Sequence, residues 1–239
     1  MPALIVRDLY KNFGKIKAVD GISFDVAEGE IFGLIGPNGA GKTTTLRMIA
    51  TLLQPTDGII EIFGFNVLKE GTKIREMISY LPEEAGAYKN LKGIDYLKFM
   101  AGFYAKDNQE KQSIVERAVE IAKLGDRLND LIRNYSKGMV RKLLLARALM
   151  HNPKLVILDE PTSGLDVINS LEVRNLIIDY ARTGTTVIVS SHNMLEVEFL
   201  SNRVAFIHQG KIVEFGTPSE LRNKYRAENL EQVFVKSIS

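Results

Sequence analysis

Residues 36–43, Gly36, Pro37, Asn38, Gly39, Ala40, Gly41, Lys42 and Thr43, satisfy the pattern G-x-x-x-x-G-K-[ST]. Glycines lack a Cβ, so such a loop turns tightly and aims its N–H groups inward. Those groups, with the positive end of a following helix, form a cradle for phosphate oxygens. Lys42 is the residue to reach the outer phosphates. The Thr43 hydroxyl is the group to meet Mg2+, and Thr44 continues the binding stretch. A second cluster lies in the other half of the chain. Leu155-Val-Ile-Leu-Asp-Glu160 is an apolar run ending in two carboxylates. Asp159 at the tip of such a strand supports Mg2+, and Glu160 beside it can polarise a water for in-line attack on a terminal phosphate. Thr162-Ser-Gly-Leu-Asp166 reads as a turn whose Asp166 has the residue type of a helix N-cap. His192 follows Ser190-Ser191, read as an exposed pair, so it suits phosphate contact better than a core. His151 and His208 have no such setting and read as structural.

These groups need strands and helices that bring them to one place. Ile31–Ile35 reads as a short apolar strand into the loop, and an amphipathic helix follows it. Leu155–Leu158 and Thr185–Ser190 are continuous apolar runs, the signature of buried parallel strands. Strands are also expected at 4–6, 22–26, 59–63 and 78–81, with a hairpin of 203–208 and 211–215 around Gln209-Gly210. Helices are expected over 70–77, 92–104, 109–123, 139–150, 167–182 and 193–200, with Ser136 as an N-cap, Gly125 as a C-cap and Pro218 opening a last helix. The pattern is an α/β, doubly wound core of mostly parallel sheet. A helical insertion spans about 84–150, and an antiparallel β region lies on the N-terminal side. The whole, 1–239, reads as a single domain with a helical tail over 218–239.

Composition narrows the classes. Hydrophobic residues are 45% and charged residues 25%, which allows a sizeable core. The net charge is +2, so there is no general attraction to nucleic acid or an anionic membrane. The chain has no cysteine, which excludes disulfides, thiolate metal sites and cysteine nucleophiles. The N-terminal apolar patch is too short for a signal peptide, and no run approaches the roughly 20 apolar residues that span a bilayer. Asn134-Tyr-Ser136 matches a glycosylation acceptor by chance. No Asn-Lys-x-Asp occurs, which argues against a guanine-specific GTPase.

The motifs in their order and spacing are GPNGAGKT, Pro82-Glu83, Tyr135-Ser-Lys-Gly-Met139, LVILDEP, SGLD and Ser191-His192. Together they resemble the ATPase subunit of ATP-binding-cassette (ABC) transporters, over nearly the whole chain. Tyr135–Met139 is the most discriminating of them, and its departures resemble exporter-type subunits of the multidrug and sodium-efflux kind. That resemblance implies ATP and Mg2+ as ligands, with residues 36–44 and Asp166 among the nucleotide contacts. It implies Glu160 as base, with Lys42 and His192 on the γ-phosphate. It puts Phe13 where an aromatic ring stacks on adenine, with Tyr10 as a rival and a packed core Phe as the bland alternative. It has Ser136 and Gly138 contact ATP held by the opposite subunit. It places Glu83, where the family has Gln, on Mg2+ or a water. Lys137 and Met139 replace a usual Gly and Gln. The implied partners are a second ABC ATPase subunit and a separate transmembrane permease subunit, with the chain on the cytoplasmic face of the membrane and no nucleic acid bound. A soluble ABC ATPase acting on nucleic acid or ribosomes is the alternative, and a non-hydrolytic regulatory module a weaker one.

Overall fold

The computed structural model describes residues 2–238. Strands β1 (Pro2–Phe13) and β2 (Ile16–Ala27) form a long hairpin, followed by β3 (Ile31–Ile35) and α1 (Lys42–Ile49). Then come β4 (Asp57–Ile62), β5 (Phe65–Asn66), α2 (Gly71–Met77) and β6 (Ile78–Leu81). Between β6 and the next strand lie α3 (Gly93–Ala101), α4 (Asn108–Ala122), two short 3-10 turns and α5 (Lys137–Leu149). The alternation resumes with β7 (Leu155–Asp159), α6 (Val167–Ala181), β8 (Thr186–Ser191) and α7 (Met194–Leu200). The chain continues through the hairpin of β9 (Arg203–His208) and β10 (Lys211–Gly216) to α8 (Pro218–Tyr225) and α9 (Leu230–Ile238). Residue 239 of the expected tail lies outside the described range.

The strands make two sheets. One is four-stranded and antiparallel, in the order β2-β1-β4-β5. The other is six-stranded, in the order β10-β9-β3-β8-β7-β6, and parallel except for the β9–β10 hairpin. β7 is buried at every residue and its side chains alternate between faces, as a central strand requires. Val156 and Leu158 join the core shared with α3 to α6, while Leu155 and Ile157 join the core around α1, between the two sheets. A third cluster closes α7, α8 and α9 over Ile35 and Phe206. At the opposite end of β3 from the phosphate loop, buried Glu30 is gripped on both oxygens by Arg203, at 2.6 and 2.7 Å. No helix among the described residues is long and apolar enough to cross a membrane.

Three expectations need correction. β1 and β2 run 12 residues each, so Tyr10–Phe13 is strand and the turn falls at Gly14. Register shifts near Asp8 and Leu9 break the alternation that would have marked the full length. Helix α4 ends on Lys123, which takes the left-handed cap at φ 49°, while Gly125 opens a 3-10 turn. Helix α5 begins at Lys137 rather than Met139, because Ser136 caps it by accepting from the Met139 N–H. The short strand β5 has no counterpart in the sequence pattern.

Candidate functional site

Parallel pairing puts the carboxyl ends of β3, β7 and β8 side by side, with Ile35 opposite Ser191 and Asp159 opposite Ser190. The phosphate loop, the acidic pair and the histidine therefore emerge at one edge. This is where open α/β sheets bind ligands.

The loop is held by its glycines. A Cβ on buried Gly36 would lie 2.1 Å from the Ile207 carbonyl oxygen, so only glycine lets the chain pass β9 at this point. Gly41 has φ 112°, and a Cβ there would meet the Ala18 carbonyl oxygen at 2.5 Å. Gly39, at φ 79°, faces open space at the crest of the loop beside exposed Pro37 and Asn38. Ala40 is buried and donates its N–H to the Pro37 carbonyl at 3.2 Å. Helix α1 starts at Lys42, and its N-cap Gly41 has no side chain to satisfy the first N–H groups. Lys42 Nζ donates to the carbonyls of Gly36 at 2.7 Å and Pro37 at 3.2 Å. Thr44 is half-buried. Its neighbour Thr45 is fully buried and returns its hydroxyl to the Gly41 carbonyl at 3.0 Å.

Asp159 is 2% exposed and collects three hydroxyls. Thr43 Oγ1 donates to its Oδ1 at 3.2 Å, Ser190 Oγ to the same oxygen at 2.5 Å, and the Tyr80 hydroxyl to Oδ2 at 3.3 Å. Burial, and then the Asp159 charge, push the Tyr80 phenol up to about 12. Tyr80 thus stays a neutral donor.

Glu160 is 5% exposed and its backbone sits in the left-handed region, at φ 49°. Such a conformation in a non-glycine residue carries a cost that the surrounding structure must hold. Its N–H is held by Ser190, through the carbonyl at 3.1 Å and the hydroxyl at 3.2 Å. Its Oε2 lies 2.8 Å from His192 Nδ1 and 3.4 Å from Ser191 Oγ. Oε1 has no hydrogen-bond donor; Lys42 Nζ stands 3.4 Å away as an ion pair only. The acid thus has one oxygen anchored and one left as an open acceptor beside the loop lysine.

Ser190 and Ser191, expected to be exposed, are buried, and they are the bolts of the site. Small polar residues closing an otherwise apolar strand were the available signal. Tyr80 was missed as well, because its partner is 79 residues away.

The other expected residues make contacts of their own. Phe13 is 49% exposed, with Lys11 Nζ 5.0 Å from its ring centroid, so the core-Phe alternative is excluded. The rival Tyr10 lies against Gly21, where a Cβ would come within 2.8 Å of its hydroxyl. Glu83 accepts from Ser163 Oγ at 3.0 Å, and its backbone carbonyl accepts from Arg141 Nη2 at 3.0 Å. Its carboxylate is thus engaged by the turn after Glu160. Asp166 is the N-cap of α6: it accepts from the Asn169 N–H at 2.9 Å, and this bond holds its carboxyl below the ordinary value. Asn169 also reaches Gly138, where a Cβ would lie 2.0 Å from its Oδ1. Ser136 is exposed at the head of α5. His151 stacks flat on Tyr104 at 4.1 Å, burial keeps its pKa below the ordinary value, and His208 meets the edge of Phe234. Both are structural.

This donor set fits the ligands that the motifs imply. Uncapped amides and Lys42 suit phosphate, and the adjacent Thr43 hydroxyl and Asp159 carboxylate are hard oxygen ligands of the kind Mg2+ takes.

A family profile described as ABC transporter matches residues 19–163. The linearmycin resistance ATP-binding protein LnrL of Bacillus subtilis is 36% identical over 236 residues, covering 99% of this chain and 76% of that protein. The bacitracin transport ATP-binding protein BcrA of Bacillus licheniformis is 41% identical over 208 residues, covering 87% of this chain and 67% of that one. A solved ATP binding subunit of an ABC transporter superposes with a TM-score of 0.86 at 27% identity, covering 99% of this chain and all of the other. The matched span contains both the phosphate loop and the acidic pair, and the chain belongs to the ABC transporter family, among its ATP-binding proteins.

Proposed function

We propose that the chain hydrolyses ATP to power an ABC membrane transporter, and that the transporter is an exporter. The observation that carries the hydrolytic part is the state of Glu160. It is a buried carboxylate with one oxygen fixed by His192 and the other open beside Lys42. Glu160 accepts a proton from water as the water oxygen attacks the γ-phosphate. His192 orients Glu160 through Nδ1 and leaves its other ring nitrogen for phosphate. Lys42 neutralises charge on the γ-phosphate, and the α1 amides bind the remaining phosphate oxygens. Thr43 and Asp159 would hold Mg2+, which when bound offsets phosphate charge, and Glu83 would join once released from Ser163. Phe13 offers its open ring to adenine.

Ser136 and Gly138 act on ATP held by a second copy or a close paralogue, so the working unit is a dimer closed by ATP. The membrane subunit is the second partner. Exposed Tyr88, Phe99 and Phe103 form an edge-to-face row on and beside α3, with centroids 5.8 and 5.2 Å apart. That apolar ridge on the helical region suits contact with such a subunit. The exporter assignment is supported by the resistance and transport functions in the names of LnrL and BcrA. Glu160→Gln tests the central claim. It should bind ATP as wild type does and lose phosphate release. Unchanged steady-state release would remove Glu160 as base.

A further inference from the structure

Glu160 and His192 stand on different loops, one after β7 and one after β8. A single side-chain bond of 2.8 Å joins them, and the His192 side chain is 48% exposed. Ser190 holds the Glu160 N–H and Ser191 Oγ lies 3.4 Å from Glu160 Oε2, so the strand ends are already joined; beyond them the His192 ring meets Glu160 through a single bond. A second connection closes the circuit behind them. Thr162, two residues past Glu160 and buried, donates its hydroxyl to Glu196 Oε2 at 2.5 Å. Glu196 lies in the first turn of α7, the helix that begins just after His192. Its own N–H is capped by Asn193 Oδ1 at 3.2 Å, and the Asn193 N–H is in turn held by Ser191 Oγ at 3.0 Å. The ring runs from Glu160 through Pro161 to Thr162, across to Glu196, back along the turn through Asn193 to His192, and across to Glu160. Every link is a peptide bond, a helix cap or a hydrogen bond. A hydroxyl-to-carboxylate bond is among the stronger of these. It also braces Thr162 directly after the left-handed residue Glu160, whose conformation persists only if its surroundings hold it.

We propose that Glu196 is a positioning residue for ATP hydrolysis: through Thr162 it fixes the turn that carries Glu160 relative to the helix that carries His192. It touches neither water nor phosphate. The inference rests on the reading of Glu160 and His192 as the hydrolytic pair.

The test compares phosphate release by the purified full chain and the variants E196A, E196Q, T162V and T162S, with E196A also placed in an H192A background. Misplacing the pair should lower kcat about 10- to 100-fold in E196A and T162V, while the KM for ATP stays within about three-fold. An E196A/T162V double variant, measured alongside, should be no worse than either single one, because one bond is removed twice. E196Q and T162S retain an acceptor and a donor, and each should recover most of the rate. In the H192A background E196A should add less than about two-fold, since its action runs through the His192 contact. The proposal falls if kcat is unchanged in E196A, if E196Q is as impaired as E196A, or if the loss persists in full without His192. The 15N resonances of the His192 ring give a readout independent of turnover. They should shift in E196A and T162V and return in E196Q and T162S. If the wild-type chain releases no phosphate, the hydrolytic reading fails on its own, and unmoved ring resonances would separately overturn the positioning role. Should E196A not fold, T162V and T162S carry the same comparison.

Discussion

The sheet edge at Glu160 and the head of α5 at Ser136 both belong to the proposed chemistry, yet they are built in different ways. At the sheet edge every acid is buried and bolted. Asp159 takes three hydroxyls, and Glu160 is held through its backbone and through one carboxylate oxygen. At the head of α5 the Ser136 side chain is exposed and makes a single cap bond to Met139. What is fixed there is the backbone. Gly138 is pressed against Asn169, and the α5–α6 contact is tied further along by the Lys142–Glu172 ion pair. The difference follows from where each group is to act. A base working inside its own chain must be aimed by its own chain. A loop that presents amides to a neighbour needs only a rigid mount and an open face.

Five changes break or sharpen that contrast. Glu160→Gln should have the largest effect, lowering phosphate release by about 10²- to 10⁴-fold as expected for a general base, with ATP binding retained in a titration calorimeter. Gly36→Ala forces a Cβ onto the fixed Ile207 carbonyl. It should cost about 1–3 kcal/mol of stability, seen as a clear fall in the melting temperature together with weakened ATP binding. Gly138→Ala meets a side chain rather than backbone, so the conflict can be relieved. The G138A/N169A double variant should melt closer to N169A than G138A does to wild type, a coupling read from four melting curves. Ser136→Ala should cost about 1 kcal/mol through the lost cap. It should leave ATP binding to the isolated chain intact while reducing the concentration-dependent part of hydrolysis. Equal damage to single-chain binding would erase the distinction between the two regions.

The smallest effect is a pH dependence at Asp166. Its folded pKa is depressed by the Asn169 N–H. Its contribution is therefore present above the ordinary carboxylate value and is lost as pH falls through the depressed one. The gap in melting temperature between wild type and Asp166→Asn should narrow between pH 6 and about pH 3.

Much of this was legible where the signal is local. The phosphate loop is contiguous, β7 is apolar up to Asp159 because both of its faces are covered, and Ser136, Asp166 and Pro218 announce helix starts by residue type. Legibility failed where partners are remote. Tyr80 and Asp159 meet only because β6 pairs with β7. Ser190-Ser191 looks like a surface pair until β8 is placed at the centre of the sheet. Glu83 was singled out by motif, but its contact with Ser163, 80 residues away, comes only from the fold. The outer ends of β1 and β2 were hidden by bulges that break the two-residue period.

The sequence by itself determined the chemistry on offer. A glycine loop with Lys42 and Thr43 and an apolar strand ending in Asp159 and Glu160 are set by covalent spacing, and no folding can separate their members. Only the tertiary structure decided how these pieces meet. The parallel order of β3, β8 and β7 turns separate motifs into one edge, Ser190 bolts the acidic pair, and the Thr162–Glu196 bond sets Glu160 against His192. These are contacts between residues far apart in the chain. They depend on strand register and on hydrogen bonds that burial makes costly to leave unmade, and neither is written in any local run of residues.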